Sequence, residues 1–153
     1  MSDTYTPFLN GQGQTVKVRS ESDVVGADTV QAHHHAISAA TAGGCSPYQS
    51  LDLDETEEEV KATAGQVYGY SFYNNAASNR YLKFYNATAA NTTVGTTTPV
   101  MTLVLPNGAA GHISFSAAVE FTTAITIAAT TGLANNDTGA PSANDVVVTV
   151  FYK

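Results

Sequence analysis

The sequence predicts an all-β protein, an antiparallel β-sandwich or barrel, with an extended N-terminal arm. Three observations predict it. Short stretches of alternating apolar and polar residues recur along the second part of the chain, separated by turn residues. No stretch sustains a helical apolar period between caps, and the Ala-rich pieces at 36–42 and 87–90 are broken by Thr, Gly or Asn. Thr is abundant (21 of 153 residues), whereas the charged residues from which coiled coils and long exposed helices are built make up only 12%.

Residues 1–57 read as an arm with edge strands. They hold few large apolar residues and so need a partner surface to order them. Residues 15–19 alternate as a short strand, 20–28 are polar and acidic, and 31–38 alternate weakly around three consecutive histidines. Residues 42–47 (Ala-Gly-Gly-Cys-Ser-Pro) form a break. Residues 52–59 carry six carboxylates in eight positions. The run reads as a solvated connector. Its spacing does not fit a calcium loop, because no glycine stands at the sharp-turn position and the ligand order is wrong.

Residues 58–153 read as the sandwich domain. Residues 66–73 and 80–85 alternate, and the Asn-rich loop 74–79 between them predicts a hairpin. Residues 100–105 form a strand closed by Pro106-Asn107-Gly108, a turn sequence. Strands follow at 112–116, at 120–129 and at 144–152, the last being the strongest. Short loops imply antiparallel pairing. The longer polar loops 87–98 and 131–144 are where contacts or function are expected.

Charge narrows the partners. The net charge is −7, and six Lys and Arg residues cannot line an extended phosphate-facing surface, so no nucleic-acid partner is expected. Residues 1–60 hold 12 of the charged residues and 61–153 hold 7, which suits a second part that packs against something. No membrane partner is expected either. The longest apolar stretch, 121–129, is interrupted by threonines and too short to span a bilayer. The start shows neither a basic segment nor an apolar run, so no secretory signal is expected. Cys45 is the lone cysteine, which excludes an internal disulfide and fits assembly in a reducing cytoplasm.

Chemistry-bearing motifs are sparse. The chain has no nucleophile elbow and no phosphate-binding loop, and nothing places a base near Cys45, so neither an enzyme nor a cofactor is expected. His33 and His35 would share one face of a strand and, with His112, are the candidate metal ligands. The plainer reading is a polar edge strand whose imidazoles hydrogen-bond locally. Glu120, Asp137 and Asp145 are too scattered to supply the paired carboxylates of a glycosidase. A tyrosine stripe (Tyr68, Tyr70, Tyr73, Tyr81, Tyr85) reads as core and cross-strand packing, with a sugar-stacking platform as the alternative.

Several stretches carry a family resemblance. They are Ala64-Gly65-Gln66-Val67-Tyr68-Gly69, Tyr73-Asn74-Asn75-Ala76-Ala77, Arg80-Tyr81-Leu82-Lys83-Phe84-Tyr85-Asn86, and Val94-Gly95-Thr96-Thr97-Thr98-Pro99-Val100. Thr130-Thr131-Gly132, Asn136-Asp137-Thr138-Gly139-Ala140, Ala143-Asn144-Asp145-Val146-Val147-Val148 and the closing Phe151-Tyr152-Lys153 complete the set. With these, residues 62–153 resemble a type of tailed-phage virion structural protein, of the capsid decoration (cement) or head-fibre kind. The resemblance implies a small β-sandwich subunit of jelly-roll type, on the head or the tail. The first reading is a capsid decoration protein on the outer surface of the virion capsid, assembled in the host cytoplasm, with the major capsid protein and its own copies, as a homotrimer, for partners. Low-charge strands rich in Thr, Ala and Val suit such self-packing. Under this reading Val16 and Val18 are the expected capsid contacts, and Val148, Val150 and Tyr152 the expected subunit-packing residues. The alternative is a receptor- or glycan-binding module of a head fibre or tail.

Overall fold

The computed structural model describes residues 44–153 in full and, before them, the backbone of residues 4–9, 15–25 and 28–33. The chain divides into two compact units, Met1–Ala42 and Gly43–Lys153. In the first, β1 (Thr4–Leu9), β2 (Thr15–Val25) and β3 (Asp28–His33) form an antiparallel sheet in the order β1-β2-β3. Val16 and Val18 stand on its middle strand, opposite Phe8 and Thr6. Their side chains, and those of His33 and His35, lie outside the described residues.

The boundary therefore falls between Ala42 and Gly43, in the Ala-Gly-Gly break, and not after residue 57. The reason is β4 (Ser46–Ser50), which is hydrogen-bonded into the second unit alongside the last strand. The second unit continues with β5 (Glu58–Lys61), β6 (Gly65–Asn74), β7 (Arg80–Tyr85), β8 (Met101–Leu105), β9 (Ala110–Phe121), β10 (Ile125–Thr130) and β11 (Val146–Tyr152). These make two four-stranded antiparallel sheets, in the orders β4-β11-β6-β9 and β5-β10-β7-β8. The pairing is nested: β7 with β8, β6 with β9, β5 with β10 and β4 with β11. Such nesting is one long antiparallel ribbon rolled up on itself, a jelly-roll arrangement of the β-sandwich, as the resemblance implies.

Each sheet turns one face inward. Along β11, Val146, Val148 and Val150 are fully buried, while Val147, Thr149 and Phe151 point to the opposite face. Facing them inside are Leu53, Val67, Leu82, Leu105, Ile125 and Ile127, with Phe84 and Phe121 in a tilted pair 6.1 Å apart. This corrects the expectation that Val148 and Val150 pack against another subunit, because both side chains are consumed in their own core. Tyr152 is half-buried against the same core.

Residues 74–79 do not form the expected hairpin. β6 and β7 lie in different sheets, and the loop is a corner between them. A buried side chain makes the corner. Asn74 Nδ2 donates to the carbonyls of Leu105 (2.8 Å) and Ser78 (3.1 Å), and its Oδ1 accepts from the Ala76 amide (2.9 Å). The apolar run at 121–129 is likewise broken, with β9 ending at Phe121 and β10 starting at Ile125. Asn86 holds that turn from outside, accepting from the Thr123 amide (2.8 Å) and donating to Thr122 Oγ1 (2.9 Å).

Candidate functional site

The outer faces of the two sheets have opposite fates. On the β5-β10-β7-β8 sheet the outer face is roofed. Every residue of β10 is buried, and so are the last four of β7, which requires cover on both sides. The cover is the two long loops. Lys83 projects outward from β7 and is fully buried beneath residues 131–144. Its Nζ donates to the carbonyls of Ala134 (2.7 Å) and Asp137 (3.3 Å). Burial pulls the Lys83 pKa down, and the Asp137 carboxylate partly restores it. Asp137 Oδ1 in turn accepts from the amides of Gly132 (2.9 Å) and Gly139 (3.1 Å). At the end of this loop Arg80 Nη2 meets Asp145 Oδ2 at 2.6 Å, which holds the Asp145 carboxyl below its usual range.

The second roof, residues 87–98, is fastened by the acidic run. Glu57 accepts from the Val94 amide (2.8 Å), Glu59 accepts from the Ala89 amide (3.1 Å), and Thr126 Oγ1 donates to the Ala87 carbonyl (2.7 Å). Asp52 accepts from the Asn144 amide and so ties down the other loop. The run is thus a row of backbone acceptors more than a solvated connector. Beneath this roof Tyr85 packs with Val94 and Ala128. Its hydroxyl is buried without a partner among the described residues, and burial together with the nearby Glu57 pushes its pKa up to about 12. The two loops meet at Gly95. This residue has φ +86°, and any side chain there would run into Thr138.

The outer face of the β4-β11-β6-β9 sheet carries no such roof among the described residues. Its cross-strand rows follow from the register. One is Pro47–Phe151–Gly69–Ser114, the next Gln49–Thr149–Ser71–His112, the third Val147–Tyr73–Ala110. None of these residues carries a fixed charge. Pro47, Gln49, Tyr73, Ala110, His112 and Ser114 are exposed, and the β11 residues are half-buried between their neighbours. His112 stands opposite Ser71 in the middle row. Its Nε2 lies 3.0 Å from Ser114 Oγ, and its ring stands edge-on to Phe151 at 5.6 Å. The two rings meet on the diagonal across β6, where Gly69, the register partner of Phe151, has no side chain to stand in the way.

No protein-family model, curated protein or solved structure matches this chain. The site is therefore argued from geometry alone.

The residues singled out from sequence are dispersed. His112 lies on the open face, and no group of three metal-ligating side chains occurs among the described residues. Cys45 is exposed, one residue before β4. Asp137 and Asp145 are spent on loop and ion-pair contacts, and Glu120 lies near the end of β9. The tyrosine stripe splits between the two sheets: Tyr70 and Tyr85 are buried, and Tyr73 is exposed on the open face. The long loops, expected to carry contacts, mostly serve to cover a sheet. Among the described residues no helix is long and apolar enough to cross a membrane. The outward residues Val147, Thr149 and Phe151 were missed although strand alternation marks them as a set. Nothing local told which set faced the core.

Proposed function

We propose that this chain is a structural subunit of a tailed-phage virion, a decoration (cement) protein that binds the outer capsid surface as a trimer and braces it. The observation that carries the reading is the contrast between the two sheets. One is sealed by loops, whereas the outer face of the other has no such roof among the described residues and no fixed charge along its three central rows, the kind of surface that functions by contact and not by chemistry. The sequence resemblance points the same way. Weak contacts repeated over many copies on a shell add up to substantial bracing through multivalency.

Co-sedimentation of the purified protein with separated phage heads and tails tests this. Saturable binding to heads, at hundreds of copies per particle on the order expected for a shell lattice, is the expected result. Binding to tails alone would move the receptor- or glycan-binding module to the front, and binding to neither would overturn the virion reading.

A further inference from the structure

Past its three central rows, the open face of the β4-β11-β6-β9 sheet ends in a row of different character. Gln66 and Lys153 exchange backbone hydrogen bonds (2.8 and 2.9 Å), and Gln66 stands opposite Glu120 on its other side. The row Lys153–Gln66–Glu120 is exposed throughout. Between it and the central rows the strands fall out of step. β11 pairs Phe151 with Gly69 and Tyr152 with Val67, which leaves Tyr68 as an extra residue on β6. Over the same step β9 runs all the way from Ser114 to Val119 and arches outward. Bulges re-aim side chains, and the side chain re-aimed here is Tyr68. Its hydroxyl donates to Gln66 Oε1 (2.8 Å), which holds the ring on the open face. Beside it Gly69 presents bare backbone, and a side chain there would run into the Ile113 carbonyl.

We propose that Tyr68, Gln66, Glu120 and Lys153 form a binding site for a neutral saccharide. The hydrogen-bonding inventory fits hydroxyl groups. Gln66 Oε1 is taken by Tyr68, but the Gln66 amide nitrogen still offers donors, and Tyr68 Oη keeps its lone pairs. Glu120 only accepts and Lys153 only donates. Their strands are separated by β6, so their backbones stand roughly 10 Å apart, and the two charges flank a ligand instead of neutralising each other. A sugar hydroxyl both donates and accepts, and a pyranose carries several of them around a ring whose C–H bonds suit the negative face of an aromatic ring. Charge narrows the class. The site itself is neutral, with one carboxylate and one ammonium, whereas the chain as a whole carries −7. That field disfavours sialylated, sulfated and phosphorylated ligands. Glu and Lys are depleted from the cores of protein interfaces, which points away from a protein partner at this end of the face and toward a small ligand fixed by a few placed polar groups. The proposal goes beyond the decoration reading and does not rest on it. Its experiment needs no virion, so the two can fail separately.

The test is saturation-transfer nuclear magnetic resonance on the full chain at millimolar ligand. The neutral probes are chitotriose, maltotriose, mannotriose and lactose, and the charged probe is sialyllactose. Binding of at least one neutral probe is expected, with sialyllactose no tighter than lactose. Tyr68→Ala and Glu120→Gln are each expected to weaken the bound probe by about tenfold, the equivalent of one good hydrogen bond or ring contact. Tyr73→Ala, exposed at the other end of the same face, is expected to bind as the wild type does. Far-ultraviolet circular dichroism checks that each variant is folded, and Gln66→Ala takes the place of Tyr68→Ala if the latter unfolds. Failure of every neutral probe to bind overturns the proposal. So does tighter binding of sialyllactose than of lactose, or binding that survives unchanged in the folded variants.

Discussion

Lys83 Nζ lies 2.7 Å from the carbonyl oxygen of Ala134, and this one bond joins the middle of a sheet to the loop that covers it. The ammonium is fully buried and has a second acceptor in the Asp137 carbonyl at 3.3 Å. Lys83→Met keeps most of the volume but leaves both carbonyls unpaired. We expect a loss of about 1–3 kcal/mol in urea unfolding. Proteolytic nicking within residues 131–144 should accelerate more than the global loss explains, because the roof opens locally.

Arg80 and Asp145 close the same loop at its far end, with little exposure of either side chain (11% and 13%). The Arg80 hydrogen bond holds the Asp145 carboxyl below its ordinary range. Its contribution to stability is therefore present above the ordinary carboxylate pKa and disappears as pH falls through the lower, folded value. Asp145→Asn should destabilise by about 1–3 kcal/mol at neutral pH. Thermal unfolding of wild type and variant should converge in acid, and a difference independent of pH would count against the ion pair as its source.

Tyr48 and Tyr85 make a controlled comparison. Both hydroxyls are pushed up to about 12, chiefly by burial, but only Tyr48 has a hydrogen-bond partner, Glu58. Tyr48→Phe should cost about 1.5–3 kcal/mol, the range for a bond to a charged acceptor. Tyr85→Phe should be neutral or stabilising by up to ~1 kcal/mol, because it removes a buried polar atom that nothing satisfies.

The alkaline limb follows from the same two residues. A raised folded pKa gives stability that is complete below the unfolded value of 10 and lost as pH climbs through about 12. Ultraviolet phenolate absorbance should therefore show Tyr48 and Tyr85 among the late tyrosines, with Tyr70 also raised by burial, and these late groups should titrate together with unfolding. Early titration of Tyr48 or Tyr85 would mean that its cover is open.

Asn74 holds the corner after β6 from inside. Its side chain makes three hydrogen bonds at a buried corner, and no other residue type offers two donors and an acceptor in that space. Asn74→Ala should cost about 2–4 kcal/mol in denaturant unfolding. Asn74→Asp should recover only part of this, because the carboxylate cannot donate to Leu105 and Ser78.

Strand content was legible in the sequence because alternation and turn chemistry are local. β7 and β8 lie within one residue of their expected bounds, and β6 and β11 within two. What failed depended on distant partners. The corner at 74–79 looks like a hairpin until Leu105 arrives to receive Asn74. The turn at 122–124 contains no Gly or Pro and is made by Asn86, thirty-six residues away from Thr122. The inward set of β11 could not be chosen from its outward set, because Val appears in both and the loops that would mark a covered sheet lie elsewhere in the chain. The bare face, in consequence, became visible only when the rows of four strands were laid side by side.

The nesting of the strands also governs how the chain can fold during synthesis. β11 lies between β4 and β6, and Ser50 must pair with Val148 to complete the sheet. The first strand of the sandwich therefore waits for the last, and the nascent chain holds half-built sheets with open edges until residues 146–152 have left the ribosome. Such long-range closure is slow and leaves a window in which unfinished chains can join one another. Loss of those seven residues would remove a central strand and not merely fray an edge, so a prematurely stopped chain has no partial version of this fold to settle into.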